Sequence, residues 1–186
     1  LLLGYSLGAR LALAALAWHP GRIAGAIAVG GHPGLESPTE RDERARWDEE
    51  QAAQIEREGL RPFLERWESL PLFATQRRLP ASALDAQRAA RLAHRPAAVA
   101  WAMRALGLGS MPPCAGELAA VRDRVTLVTG RLDQKFHTVA AELSRRLLVK
   151  HVIVEGAGHN VPLEEPGTMG EVVRLEVERL RQGRGA

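Results

Sequence analysis

The chain has one cysteine, Cys114, in 186 residues. That excludes an internal disulfide framework and a zinc site built on cysteine pairs. Lysine is almost as scarce: Lys135 and Lys150 are the only two, so nearly all the positive charge is arginine. No apolar run approaches the ~18 residues that a membrane-spanning helix needs. Charge of one sign is not in large excess either. Lys+Arg 25 against Asp+Glu 22 leaves +3, too little for a concentrated nucleic-acid-binding face. Neither nucleic acid nor a membrane is therefore expected as a partner. The arginine bias suits small anionic molecules, because guanidinium forks hold carboxylates bidentately. What remains is an ordinary globular composition, 46% hydrophobic and 25% charged, with enough apolar content for a real core. The chain opens on Leu1-Leu2-Leu3, with no Met and no polar leader. It is expected to begin inside a buried element, as a fragment, and to be cytoplasmic.

The order of elements predicts an α/β fold. Leu1 to Gly4 ends an apolar strand, and Leu7 to Trp18 is small and apolar all round, the composition of a helix buried on a sheet. His19-Pro20-Gly21 stops that helix. Ile23 to Val29 is a continuous apolar run of the kind found in parallel sheets. From Glu36 the chain turns charged and helical. Pro38 marks a helix start, Gly59 divides two helices, and further helices are expected around 73–79, 83–93 and 97–106. Strand–helix alternation resumes with Val125–Thr129, a helix over 136–147, a strand over 149–154 and a closing helix over 166–180. The arginine-rich tail beyond Leu180 is expected to fray. The prediction is a mostly parallel sheet over 1–35 and 124–186, with a helical cap, 36–123, inserted between two strand–helix units.

Gly4-Tyr5-Ser6-Leu7-Gly8 lies between the first strand and its helix, which is the context of a nucleophile elbow. A sharp turn there strains the serine, and glycines at both flanks are expected because side chains would clash. The hydroxyl then sits at a helix N-terminus, where negative charge is favoured. Such a serine requires an acid and a histidine on later strand ends. Asp133 follows the strand 125–129, and His159 follows the strand 149–154 in Gly156-Ala157-Gly158-His159. Both fall at the carboxyl edge of the sheet, as Ser6 does. Asp123 precedes its strand, at the wrong edge, and His32, His94, His137 and His151 each lack part of the pattern. In these roles Asp133 fixes the tautomer of His159, His159 raises the basicity of Ser6, and the backbone N–H of Leu7 is one oxyanion donor. Arg10 lies one helical turn beyond Ser6, and Lys135 is a second cation near the same edge.

These residues resemble a family. Gly4-Tyr5-Ser6-Leu7-Gly8-Ala9-Arg10 is similar to the elbow of 2-succinyl-6-hydroxy-2,4-cyclohexadiene-1-carboxylate (SHCHC) synthases, α/β-hydrolase-fold enzymes of menaquinone biosynthesis. Further matches are 30–35 (Gly-Gly-His-Pro-Gly-Leu), 40–44, Trp67 with 71–73, 133–136 and 156–161. The resemblance implies a lyase that eliminates pyruvate from an enolpyruvyl-bearing cyclohexene carboxylate after loss of a ring proton, without metal or organic cofactor. Position by position it implies Ser6, Asp133 and His159 as the triad. It also implies Arg10, Arg44 and Arg91 as ligands of a polycarboxylate substrate, Trp67 as a pocket-lining residue and Tyr5 as part of the elbow. Arg95 is the rival of Arg91. A serine esterase or C–C bond hydrolase of the same fold is the alternative, as is an inactive fragment.

There are departures. Ala9 stands where such enzymes usually have Gly, Arg131 replaces an acidic residue, and the segment 107–113 is divergent. The strands that would precede the elbow, with the second oxyanion donor, are missing, and they would need about 70–90 residues. Without them the first strand would be an unprotected edge. The chain alone is therefore expected to be poorly stable and inactive. A soluble monomer with a cooperative thermal melt, seen by circular dichroism and light scattering, would contradict this.

Overall fold

The computed structural model describes residues 1–182. They form two compact units, one of Leu1–Pro33 with the described residues from Cys114 onward, the other of Gly34–Pro113.

The first unit is built on four parallel strands in sequential order: β1 (Leu2–Tyr5), β2 (Ala26–Val29), β3 (Val125–Gly130) and β4 (Lys150–Val154). Every residue of β2 and β3 is buried, which explains their unbroken small and apolar runs. Residues 23–25, expected to be strand, precede β2 as irregular chain. Ile27, Val29, Val128 and Val154 form one core with Ala157, Val161, Met169 and Val172. Helix α1 (Leu7–Trp18) lies against β1 and β2 through Ala9, Ala12, Leu13, Ala14, Leu16 and Ala17. Its alanines keep the helix close to the sheet. Among the described residues β1 pairs only with β2, and Leu1, Leu2 and Leu3 are exposed.

The second unit is all helical. It comprises α2 (Pro38–Glu58), α3 (Leu60–Glu68), a 3-10 stretch Pro71–Arg78, α4 (Ala81–Leu92) and α5 (Pro96–Ala105). Ser37 caps α2 by accepting from the Glu40 N–H, with Pro38 at its first turn. Gly59, at φ +81°, ends α2 and starts α3, a left-handed position that favours glycine. Ile55, Phe63 and Leu64 centre the core of this unit.

The helical unit ends at Pro113 rather than at 123. The Cys114 N–H and thiol both bond the Pro33 carbonyl, and α6 (Ala115–Ala119) packs on α1. Those contacts tie 114–123 to the sheet. Burial pushes the Cys114 thiol up to about 12, so it stays a protonated packing group.

Helix α7 (Gln134–Leu147) follows β3, and the short α8 (Val161–Glu164) and long α9 (Pro166–Gln182) follow β4. The tail expected to fray beyond Leu180 is still helical at 181 and 182, and its remainder lies outside the described residues. Glu176 of α9, 1% exposed, pairs with Lys150 of β4 and with Arg179. Burial opposes its charge, but those two partners outweigh burial and hold the carboxyl below the usual range. No helix among the described residues is long and apolar enough to cross a membrane.

Thr129, near the end of β3, joins two histidines. Its Oγ1 is 2.7 Å from His151 Nε2 on β4 and 3.5 Å from His137 Nδ1 on α7. Desolvation, followed by the nearby His137 and Arg131, pushes the His151 imidazole below its ordinary 6.5. A base held neutral in this way supports the fold fully above its unfolded pKa and loses that support as pH falls below it. In the longest open reading frame that contains this chain, the thermal midpoint is therefore expected to drop as pH is lowered from 7 to 5. His151→Gln should flatten that slope in a pH series of melts, and an unchanged slope would refute the assignment.

Candidate active site

Ser6 occupies the turn from β1 into α1 at φ +52° and ψ −109°. This conformation costs a non-glycine residue about 1–3 kcal/mol and persists only where its surroundings enforce it. One restraint is the Ser6 N–H, which donates to the Val29 carbonyl at 2.8 Å. Another is Gly4, where a Cβ would collide with the Gly8 carbonyl. Gly8 itself is different from the expectation. A Cβ there meets nothing within 4 Å, so steric need explains Gly4 and not Gly8.

The other two strand ends bring up Asp133 and His159. β3 closes in Gly130, and the Asp133 N–H bonds the Gly130 carbonyl. Asp133 then caps α7, its Oδ1 accepting from the Phe136 N–H at 3.2 Å. Its Oδ2 lies 2.7 Å from His159 Nδ1, and His159 Nε2 lies 3.1 Å from Ser6 Oγ. The Asp133 and His159 side chains are 2% and 1% exposed. Ser6, His159 and Asp133 thus stand in one hydrogen-bonded line.

Besides Tyr5 of the elbow, three residues hold that line that were given no role from the sequence: Gly30, Phe136 and Glu164. Gly30, at φ +58°, leaves the space that His159 fills, since a Cβ there would touch the imidazole. Phe136 packs on the His159 ring at 4.5 Å between centroids, and Tyr5 packs at 5.2 Å. Glu164 grips the backbone on both sides of His159: its Oε2 accepts from the Gly158 N–H at 2.8 Å and its Oε1 from the Asn160 N–H at 3.1 Å. The signal was present in the sequence as an acid shortly after the histidine, but an acid in a loop has many ordinary uses.

Of the other expected site residues, Leu7 opens α1 directly after Ser6. Arg10 is half-buried, and its N–H donates to the Ser6 carbonyl at 3.2 Å. Lys135 is exposed, with Nζ 5.8 Å from the Phe136 ring centre. Arg44, Trp67 and Arg91 belong to the helical unit. Arg44 lies over Trp47 and bonds Asp48, while Arg91 lies over Phe73 and bonds Glu68. Trp67 packs against Trp47, Phe63 and Phe73. The rival Arg95 is exposed at the start of α5.

A strained serine after the first strand, relayed through a histidine to an acid after later parallel strands, is the arrangement of an α/β hydrolase. The profile of the alpha/beta hydrolase fold matches residues 1–166, and the chain belongs to that family. It is homologous to SHCHC synthases. It is 34% identical over 183 residues to the 2-succinyl-6-hydroxy-2,4-cyclohexadiene-1-carboxylate synthase of Enterobacter sp. (strain 638), covering 96% of this chain and 68% of that protein. It is 35% identical over 169 residues to the synthase of Escherichia coli O1:K1 / APEC, covering 89% and 63%. Among solved structures, MenH from S. aureus superposes with a TM-score of 0.91 at 26% identity, over 96% of this chain and 68% of that one. The chain thus spans 63% to 68% of the length of these relatives.

The two elbow glycines separate in a test that needs no substrate, made on the longest open reading frame that contains this chain. Gly4→Ala is expected to abolish labelling of Ser6 by a fluorophosphonate probe and to cost about 1–3 kcal/mol by overpacking. Gly8→Ala should label at close to the unsubstituted rate. Equal loss in both variants would show that the open space at Gly8 is illusory.

Proposed function

We propose that this chain carries the triad and anion-binding residues of a lyase that eliminates pyruvate. The substrate would be 2-succinyl-5-enolpyruvyl-6-hydroxy-3-cyclohexene-1-carboxylate, the product SHCHC, and the setting menaquinone biosynthesis in the cytoplasm. The observation that carries the reading is the Ser6–His159–Asp133 line, with contacts of 3.1 and 2.7 Å, in a chain 34–35% identical to such synthases.

In this reading His159 Nε2 takes the Ser6 hydroxyl proton, and Ser6 Oγ takes a proton from a ring carbon. Asp133 stabilises the imidazolium that forms. The C–H electron pair moves through the ring alkene, the ring C–O bond breaks, and the enolpyruvyl group leaves as the enolate of pyruvate. A proton returns to that enolate, and His159 and Ser6 are regenerated. Negative charge spreads during the elimination, and the N–H of Leu7 and the cations Arg10 and Lys135 lie on the segments that would meet it. Arg44 and Arg91 bind substrate carboxylates, and Trp67 lines their pocket. The packing of Arg91 on Phe73 favours it over exposed Arg95. No metal or organic cofactor takes part.

Acyl transfer is the second reading, because the same Ser6–His159 contact would serve an esterase. The test uses the longest open reading frame containing this chain. Pyruvate release from the enolpyruvyl precursor is followed with a lactate dehydrogenase couple. Release is expected to fall at least ~100-fold in Ser6→Ala, the scale of a lost acid–base group, and Arg10→Ala should lose turnover as well. No release, together with Ser6-dependent cleavage of p-nitrophenyl esters, would assign the protein to the hydrolases.

A further inference from the structure

Two aromatic rings of the helical unit pack on a third, Trp67. Trp47 lies 6.0 Å from Trp67, and Trp67 lies 6.2 Å from Phe73. An arginine lies over each of the two: the Arg44 guanidinium is 4.8 Å from the Trp47 ring centre, and that of Arg91 is 5.7 Å from the Phe73 ring centre. A cation over a ring face is attracted to it, but that attraction alone does not fix which guanidinium edge faces outward. A carboxylate fixes that edge in both cases.

Asp48, one turn beyond Arg44 on α2, is 2% exposed and accepts from Arg44 Nε at 2.9 Å. Its other oxygen is anchored by the Gly109 N–H at 3.4 Å, and the absence of a side chain at Gly107 leaves that oxygen its room. Glu68, at the end of α3, accepts from Arg91 Nη1 at 2.8 Å. Its other oxygen is held by Arg88 through Nε and Nη2. In both pairs one oxygen is fixed by a different group and the second orients the arginine. Asp48 is too buried to be a solvated surface partner, and Glu68 is only 16% exposed. Among the described residues the remaining guanidinium nitrogens of Arg44 and Arg91 make no further hydrogen bond or ion pair.

The edges left over differ. With Nε engaged, Arg44 keeps its end-on pair, Nη1 and Nη2. With Nη1 engaged, Arg91 keeps its side-on pair, Nε and Nη2. Either edge takes one carboxylate with two parallel hydrogen bonds. We propose that Asp48 and Glu68 are positioning residues that set Arg44 end-on over Trp47 and Arg91 side-on over Phe73, to hold two carboxylates of one anion. The inference rests on the functional reading above for the identity of that anion, and it assigns the orientation to the two acids.

The test is a titration with succinate, a minimal dicarboxylate, followed by tryptophan fluorescence, since Trp47 lies beneath Arg44. It uses the longest open reading frame containing this chain. Asp48→Asn is expected to weaken succinate binding about tenfold, the scale of a lost charge-assisted orientation, and Asp48→Glu should restore part of it. In an Arg44→Ala background Asp48→Asn should cost nothing more, because its effect passes through Arg44. Glu68→Gln with Arg91→Ala gives the same comparison on the more exposed pair, and decides the matter if Asp48→Asn does not fold. Unchanged affinity in both single variants would overturn the proposal. So would a full additional loss in the arginine-free backgrounds, or no succinate binding at all. Succinate binding without pyruvate release, measured on the same samples, would refute the lyase reading and leave the two positioning acids in place.

Discussion

The hydrogen bond from His159 to Asp133, 2.7 Å long and almost wholly buried, is the contact on which the arrangement at the sheet edge depends. Two polar side chains taken out of water are costly unless each satisfies the other. Asp133 is fixed by the start of α7 and His159 by the grip of Glu164 on its flanking amides. Neither can swing away without leaving a partner stranded. Ser6 is then reached by the one imidazole nitrogen that remains, its Oγ presented from the strained turn at 3.1 Å.

The parallel sheet is what makes such a meeting achievable. β1, β3 and β4 all run the same way, so their carboxyl ends fall on one side and the loops following them converge. Close approach there is paid for in side chains, and the glycines mark where. Gly4, Gly30 and Gly130 each lack the Cβ that would strike Gly8, His159 or the Ala157–Gly158 backbone.

The order serine, acid, histidine was legible because each residue follows an apolar run that ends in small residues. The all-helical stretch was legible from its charge and from the lack of strand-like runs. Its far boundary was not. Residues 114–123 read as more of the same helical composition, and only the bonds to the Pro33 carbonyl and the packing of α6 on α1 assign them to the sheet. Gly30 was seen as a loop residue, since nothing in its neighbours indicates a ring standing where its side chain would be. Glu164, Phe136 and the pairing of Arg91 with Glu68 were missed for a related reason. Their partners are set by how loops and helices fold back, which periodicity does not encode. Gly8 is the opposite case, a position where the motif led to an expectation of crowding that the turn does not impose.

Asp133 spends its two oxygens on different tasks, one on the first turn of α7 and one on the imidazole. Both tasks require an acceptor. An amide in its place has a single acceptor oxygen and must direct an NH2 group at either the Phe136 amide or the histidine. Substitution therefore cannot separate the start of the helix from the orientation of the ring. The acid could move to another strand end only if α7 acquired a different cap at the same time, so this corner of the fold is open to paired changes and closed to single ones.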